Sequence, residues 1–231
     1  MSSAPEGMVV TLEAGDGFIF SAYRVEPRSE PRGGVVILQE IFGVNPHIRK
    51  VADTYARAGY LAIAPALYDR VAPGAELGYS PADTQKGLEL RARCDLAATM
   101  NDIQAAIDDA AWAGKVAVVG YCWGGQLAWR AAHAASDLSA AVMYYGGGVD
   151  ALGDLTPQCP VLGHFGERDA HIPVDRVLPL QTRYAHLVNI KIYPADHGFN
   201  CEARASYDAD AAQLAQQRTL AFLDKHLADD A

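Results

Sequence analysis

The chain has 231 residues, of which 50% are hydrophobic and 20% are charged, and it carries a formal net charge of −9. This length and composition predict a single α/β domain over residues 1–231 with a sizeable core, and they exclude an intrinsically disordered chain. Because 28 Asp and Glu outweigh 19 Lys and Arg, there is no phosphate-binding footprint, so nucleic acid is not expected as a partner.

The termini and the cysteines point to a cytoplasmic protein without a membrane segment. Residues 1–7 lack the basic flank and apolar run of a secretory signal, and no apolar stretch approaches the length that spans a bilayer. The four cysteines lie far apart without Cys-x-x-Cys spacing, so neither a disulfide framework nor a zinc site is predicted: Cys94, Cys122, Cys159 and Cys201. Free thiols are therefore expected.

Apolar runs typical of buried strands alternate with helical patterns along the chain. The predicted elements are, in order, strand 35–38, helix 47–58, strand 61–64, a loop rich in Gly and Pro from 69 to about 83, helix 95–111, strand 115–119, helix 125–135, strands 140–144 and 160–165, helix 178–186, strand 190–193 and helix 208–227. This alternation predicts a mostly parallel, twisted sheet with helices on both faces, in three layers. Ligands in such folds bind beyond the carboxyl ends of the strands.

A glycine-flanked cysteine follows the strand predicted at residues 115–119. The pattern Gly120-x-Cys122-x-Gly124 then leads into an alanine-rich helical segment. This is the context of a nucleophile elbow, with cysteine in the place of the commoner serine. Small residues two positions before and after Cys122 let the backbone turn sharply, and the following helix N-terminus favours a thiolate. The alternative is a structural cysteine in a glycine-rich turn.

Partners for Cys122 occur in the chain order nucleophile, acid, histidine that is typical of α/β-hydrolases. Asp169 follows one predicted strand and His197 follows the last one, so Asp169 would orient the imidazole that activates Cys122. Glu167 is a rival for the orienting acid, whereas Asp196 is a poor one because it is adjacent to His197.

The other six histidines divide into two groups. His164 lies within a predicted strand and His171 beyond one, so each is a candidate pocket residue. The remaining four fall in helical patterns and are expected to be solvated: His47, His133, His186 and His226.

With these residues in place, the sequence resembles the dienelactone hydrolase (carboxymethylenebutenolidase) family. The segments that carry the resemblance are residues 39–45 (QEIFGVN), 59–60 (GY) with 65–68 (PALY), 120–125 (GYCWGG), 144–146 (YYG), 166–169 (GERD) and 197–199 (HGF). They extend over nearly the whole chain, and the QEIFG segment combined with a cysteine elbow is specific to this family. The resemblance implies the α/β-hydrolase fold and a Cys122–His197–Asp169 triad.

The resemblance further implies that Glu40 lies beside the thiol and takes part in its activation when substrate binds. A carboxylate there is physically coherent, because like-charge repulsion opposes a permanent thiolate. The oxyanion hole is expected from the backbone N–H groups of Ile41 and Trp123.

The implied substrate is a small enol lactone such as dienelactone, which carries a carboxylate that arginines would hold. Arg204 is the first candidate, followed by Lys86, Arg91 and Arg93; further candidate contacts are Phe42, Tyr144 and Phe199. The order of residues between His197 and Arg204 does not reproduce the family motif cleanly, so solvated surface arginines are an equal interpretation.

Two other functions remain open from the sequence. One is a broader carboxylesterase or thioesterase on activated esters, and the other is a non-catalytic binding protein that keeps the fold. A redox role is less favoured, because only Cys201 lies near His197 in sequence. No metal and no organic cofactor are predicted, since the cysteines and histidines lack ligand spacing and Gly146-Gly147-Gly148 lacks the G-x-G-x-x-G arrangement. A monomer is expected.

Overall fold

The computed structural model describes residues 7–228, apart from the side chains of residues 149 and 150. Within this range the strands form a single eight-stranded sheet. The strands are β1 (Met8–Glu13), β2 (Ile19–Val25), β3 (Gly34–Leu38), β4 (Leu61–Pro65), β5 (Val116–Tyr121), β6 (Leu138–Tyr144), β7 (Val161–Gly166) and β8 (Val188–Tyr193). Their spatial order is β1-β2-β4-β3-β5-β6-β7-β8. The pairs β1–β2 and β2–β4 are antiparallel, and every other neighbouring pair is parallel.

Seven α-helices accompany these strands within the described residues. They are α1 (Pro46–Arg57), α2 (Pro81–Arg93), α3 (Leu96–Ala110), α4 (Trp123–Ala134), α5 (Val149–Leu152), α6 (Val174–Arg183) and α7 (Ala209–Leu227). None of them combines the length and the apolar character needed to cross a bilayer.

The helices cover both faces of the sheet. Residues of α1 and α7 line one cavity and so share a face, while α3, α4, α5 and α6 contact one another in that order on the other face. The central strands β3, β4 and β5 are buried along their whole length, because each is covered on both sides. The predicted α/β class and mostly parallel sheet are confirmed.

Four of these elements were not predicted from the sequence: β1, β2, α2 and the short helix α5. The edge strands β1 and β2 expose apolar side chains such as Val9 and Ile19, so they lack the fully apolar pattern of the central strands. Helix α2 buries only Gly87 and Leu90, and it therefore has no continuous apolar stripe. Its start does carry a local signal, the capping box between Ser80 and Asp83.

The register of the parallel strands brings the five loops that follow β3, β5, β6, β7 and β8 to one edge. Leu38 of β3 pairs with Gly120 of β5, and Tyr121 of β5 pairs with Tyr144 of β6. Strands β7 and β8 continue the row, and they end together at Gly166 and Tyr193. The residues that follow these strands therefore meet beyond the same edge of the sheet.

Candidate active site

Cys122 occupies a sharp turn between β5 and α4. Its backbone has φ 55° and ψ −111°, a conformation that L-residues rarely adopt and that costs about 1–3 kcal/mol. The turn requires the flanking glycines. A Cβ at Gly120 would lie 1.8 Å from the carbonyl oxygen of Gly124, and a Cβ at Gly124 would lie 2.2 Å from that of Leu38. The predicted elbow geometry is therefore present.

The structure brings together Cys122, His197 and Asp169, the three residues predicted from their order in the chain. His197 Nε2 lies 3.3 Å from Cys122 Sγ, and His197 Nδ1 lies 2.7 Å from Asp169 Oδ2. The other oxygen of Asp169 accepts hydrogen bonds from the backbone N–H groups of His171 and Ile172, at 2.8 Å and 3.1 Å. Every described polar atom along this row has a partner, so the imidazole orientation is fixed.

The charge states follow from these contacts. Burial opposes a charged imidazole, but the hydrogen bonds to Asp169 and Cys122 outweigh it and raise the pKa of His197 to about 10. Burial likewise acts to raise the pKa of Asp169, yet the hydrogen bonds from His197 and from the two backbone N–H groups outweigh it and hold that pKa below its ordinary value. The raised pKa favours movement of the thiol proton to His197, and Asp169, the anionic end of the row, can stabilise the imidazolium that then forms.

The loop after β3 lies against the elbow. The carbonyl oxygen of Gln39 accepts a hydrogen bond of 3.0 Å from the N–H of Gly124, and the carbonyl of Ile41 accepts one of 3.0 Å from the hydroxyl of Tyr68. The ring of Tyr68 in turn stacks on Trp123, with centroids 5.4 Å apart. These contacts place Glu40 and Ile41 next to the start of α4.

Glu40 is fully buried within this loop. Neither of its carboxylate oxygens makes a hydrogen bond, and the nearest cation is Arg204, whose Nη1 lies 3.5 Å from Oε1. Burial raises the pKa of Glu40, while the nearby charges of Arg204 and His197 act in the opposite direction. The charge on His197 therefore acts to lower the pKa of Glu40, although no hydrogen bond joins the two side chains.

A cavity of about 350 Å³ opens in front of Cys122 and His197. Ile41 and Phe42 line one part of it, and Arg91 and Arg204 bring two cations to it. Arg91 extends from α2 and donates a hydrogen bond of 3.3 Å to Gln126 on α4. The cavity therefore combines apolar walls with positive charge beside the thiol.

Several predicted contacts lie elsewhere. Tyr144 is buried on the face that carries α7, where its hydroxyl shares a 2.8 Å hydrogen bond with Thr219, and Phe199 is fully buried against Tyr145 and Tyr193. Neither lines the cavity beside Cys122, so the predicted substrate contacts of Tyr144 and Phe199 are not supported by the geometry.

Two of the alternative basic residues also point away from the cavity. Lys86 is exposed and lies 3.9 Å from Glu89, and Arg93 donates to the carbonyl of Val71 at 2.8 Å. Of the basic residues considered in that segment, Arg91 alone faces the cavity.

The rival acids are separated from the imidazole. Glu167 is exposed, and Asp196 is exposed and lies 3.7 Å from Arg168. Asp169 is thus the carboxylate that contacts the imidazole of His197.

The histidine predictions were partly wrong. His47 was expected to be solvated, but it is only 8% exposed because α1 presses it against the loop that contains Cys201. Burial lowers its pKa to about 4. His164 is fully buried between Tyr193 and Thr219 and does not reach the cavity. His171 does line it, with its ring centroid 5.6 Å from that of His197.

Sequence reasoning missed several residues of the site. Tyr145, next to the predicted Tyr144, has a φ of 39° and places its ring 5.1 Å from that of His197. Adjacent residues at a strand end point to opposite faces, so only the register could choose between the two tyrosines. The remaining missed residues line the cavity: Thr84, Leu88, Gln126, Gly147 and Ile172.

Comparison with known proteins identifies the family. Residues 20–227 match the model of the dienelactone hydrolase family. The chain belongs to the dienelactone hydrolase family. A carboxymethylenebutenolidase of Pseudomonas putida is 36% identical over 93% of this chain and 94% of its own. A Synechocystis protein, provisionally described by the same name, is 37% identical over 80% and 82% of the two chains.

A solved structure supports the same assignment. The crystal structure of a Klebsiella pneumoniae protein, provisionally described as a dienelactone hydrolase, superposes with a TM-score of 0.79. It is 32% identical and covers 93% of this chain and 98% of its own. The fold is therefore the α/β-hydrolase fold, and this dienelactone hydrolase family member is a hydrolase that acts on an ester bond. The alternative of a non-catalytic binding protein is set aside.

Proposed function

We propose that the protein opens a small enol lactone of the dienelactone type, with Cys122 as the nucleophile and a thioester as the acyl-enzyme. The observation that carries the proposal is the bonded row Cys122–His197–Asp169, with distances of 3.3 Å and 2.7 Å, at the floor of a cavity. The relatives named as carboxymethylenebutenolidases support the same substrate class.

In the first half-reaction, the thiol proton passes to His197 Nε2 as Cys122 Sγ attacks the lactone carbonyl carbon. The tetrahedral intermediate collapses when the ring C–O bond breaks, and the departing enol oxygen takes the proton back from His197. The enol tautomerises to a ketone, while the acyl group stays on Cys122 as a thioester. An enolate is a good leaving group, so an enol lactone suits a thiolate nucleophile better than an unactivated alkyl ester does.

Water completes the cycle in the second half-reaction. His197 removes a proton from the water as it attacks the thioester carbonyl, and the C–S bond breaks. The proton returns to the departing thiolate, which regenerates Cys122. The product is a carboxylic acid.

The oxyanion of both intermediates would be held by the backbone N–H groups of Trp123 and Ile41. Trp123 is the first residue of α4, so its N–H has no carbonyl within the helix to bind. Ile41 lies in the loop that the Gly124–Gln39 hydrogen bond holds against the elbow. Losing one such donor costs roughly 2.7–4 kcal/mol of transition-state stabilisation.

Glu40 is proposed to couple substrate binding to thiol activation. Its carboxyl is buried and unbonded, and its charge contact is with Arg204, which also lines the cavity. A substrate carboxylate that binds Arg204 competes for that cation and frees Glu40 to act on Cys122. The resting thiol then stays protected from oxidation until substrate arrives.

The substrate carboxylate is proposed to bind Arg204 and Arg91. If so, Arg91→Gln raises KM for the anionic lactones roughly 10- to 100-fold, which is the value of a hydrogen bond to a charged group. The neutral ester 4-nitrophenyl acetate should be hydrolysed with unchanged KM. Equal losses on both substrates would instead favour a broader carboxylesterase or thioesterase, for which the apolar walls at Phe42 and Ile41 are the supporting observation.

The decisive experiment compares wild type, Cys122→Ser and Cys159→Ser on cis- and trans-dienelactone, with mass spectrometry of acid-quenched enzyme. Cys159 is a buried cysteine outside the cavity and serves as the matched control. We expect an acyl adduct on Cys122 in wild type and in Cys159→Ser. Dienelactone turnover that survives Cys122→Ser unchanged would overturn the assignment.

The cellular setting remains a proposal. The cysteines at positions 94, 122, 159 and 201 are all free, which suits a reducing compartment such as the cytoplasm. The monomeric state stays a prediction that light scattering would measure.

A further inference from the structure

Three potential ligand groups meet behind the active site. One carboxylate oxygen of Glu40, one ring nitrogen of His47 and the Sγ of Cys201 all lie within 4.8 Å of one another. Glu40 and Cys201 are fully buried, and His47 is 8% exposed. They come from three separate segments: the loop after β3, the first turn of α1, and the loop after His197.

Two of the three side chains in this group carry buried polar atoms without hydrogen-bond partners, whereas the thiol of Cys201 is bonded to Tyr79. Both oxygens of Glu40 and Nε2 of His47 are buried without a hydrogen bond. Buried polar atoms are paired in the large majority of cases, so two such side chains aimed at one point indicate a ligand. Arg204, 3.5 Å from Glu40 Oε1, supplies charge but no well-formed hydrogen bond.

We propose that Glu40, His47 and Cys201 form a binding site for one thiophilic divalent cation of the zinc class. Sulfur, nitrogen and oxygen are the ligand atoms that Zn²⁺ takes in proteins, and three protein ligands with one water complete a tetrahedral site. Binding forms one contact from each side chain and releases the thiol proton of Cys201, together with any proton on Glu40.

The charges balance at this site. A dication with one thiolate, one carboxylate and a neutral imidazole has no net charge, which suits a buried position. Because the Glu40 carboxylate has two oxygens, one binds the cation while the other keeps its contact with Arg204.

The cation has a route from solvent. A second cavity, of about 220 Å³, opens between α1 and α7, and His47 forms part of its wall together with Lys50, Asn200 and Glu202. It is distinct from the substrate cavity in front of Cys122, since the two cavities share no lining residue. The metal therefore enters without passing the thiol.

Occupancy has a consequence that rests on the proposed function. Glu40 bound to a cation is no longer free to act on Cys122, so the metal would inhibit the hydrolase without blocking its substrate cavity. Inhibition should accordingly lower kcat and leave KM for a neutral ester unchanged.

The binding test uses Co²⁺ as a spectroscopic substitute for Zn²⁺ in a Cys122→Ala background, which removes the competing site at Cys122 and His197. We expect one Co²⁺ per chain and a thiolate-to-cobalt charge-transfer band. Cys201→Ser should abolish the band, and His47→Gln should weaken binding by at least about 100-fold, since even residues that only orient metal ligands contribute 10- to 100-fold. Cys159→Ser, the matched control, should retain the charge-transfer band and bind Co²⁺ as tightly as the Cys122→Ala parent.

The result that would overturn the site is no charge-transfer band, or a band that persists in Cys201→Ser. This readout involves no turnover, so it stands or falls separately from the lactonase proposal. Inhibition by Zn²⁺ is then measured in proteins that retain Cys122, by comparing wild type with Cys201→Ser. If Cys201→Ser binds no Co²⁺ but is still inhibited by Zn²⁺ as strongly as wild type, the inhibitory role is wrong.

Discussion

The two sides of the loop that carries Glu40 differ in how their polar groups are satisfied. In front, Cys122, His197 and Asp169 are joined by hydrogen bonds of 3.3 Å and 2.7 Å, and Asp169 is tied to two backbone N–H groups. Behind, Glu40 and His47 present buried atoms without hydrogen bonds, next to Cys201.

This difference teaches that the two groups serve different purposes. The front row is preorganised, because each atom is held in the orientation that proton transfer needs. In the rear group, the unbonded atoms of Glu40 and His47 are available to bind a ligand without breaking an existing hydrogen bond. Glu40 belongs to the rear group by its position and to the front row by its charge contacts with Arg204 and His197.

The largest effect is expected from disrupting the front row at its acid. Asp169→Asn keeps the volume but favours the wrong imidazole tautomer, so kcat should fall roughly 10²- to 10⁴-fold. Steady-state kinetics on 4-nitrophenyl acetate measure it, with Asp196→Asn as the exposed control next to His197. If Asp196→Asn were the more damaging variant, the orienting acid would be misassigned.

A smaller effect on kcat is expected from replacing Glu40, the member of the rear group that is proposed to act on Cys122. Glu40→Gln should lower kcat on dienelactone roughly 10- to 100-fold, at or below the low end of the contribution of a side chain that itself transfers a proton, because His197 takes the thiol proton. Burial raises the pKa of Glu40, so the carboxylate forms only as pH rises and wild-type activity falls on the acid side. That acid limb should be missing from the pH profile of Glu40→Gln, and its survival there would contradict the role.

The rear group itself should tolerate an apolar replacement. His47 buries an unbonded Nε2, so His47→Leu in metal-free protein should leave the free energy of unfolding unchanged or raise it by up to about 1 kcal/mol. Urea denaturation measures this change, with Leu90→Ala as a buried core control expected to lose about 2–5 kcal/mol. A comparable loss in His47→Leu would show that its imidazole is already satisfied.

The last prediction concerns how the free energy of unfolding of the front row depends on pH. The pKa of His197 is raised from 6.5 to about 10, so its charged form stabilises the fold fully below about pH 6.5, and this contribution is lost as pH rises towards 10. Wild type should therefore lose more unfolding free energy between these limits than His197→Gln does. Denaturation at both ends of the range measures the difference, and parallel losses in the two proteins would argue against the raised pKa.

The proposed catalytic row was predictable from the sequence because each member lies just after a strand. Parallel strands end at one edge, so Cys122, Asp169 and His197 had to approach one another in a sheet of this kind. Arg204 and Phe42, two of the predicted substrate contacts, line the cavity. Tyr144 was not, because the turn after β6 sends Tyr145 towards His197 and leaves Tyr144 on the opposite face.

The rear group and the cavity wall could not be predicted in the same way. His47 follows a helical pattern that gives no sign of burial, and its distance from Cys201 depends on how α1 packs against the last loop. Helix α2, which contributes Arg91 and Leu88 to the cavity, has too few buried residues to show a periodic signal.

By itself, the sequence determined the fold class, the elbow and the order of its partners, because strand patterns, glycine spacing and turn chemistry are local properties. Only the tertiary structure decided which acid reaches His197, which tyrosine faces it, and that Glu40, His47 and Cys201 share one buried point. Those outcomes depend on helix packing and on strand register. A shift of one residue in the register moves a side chain to the other face of the sheet.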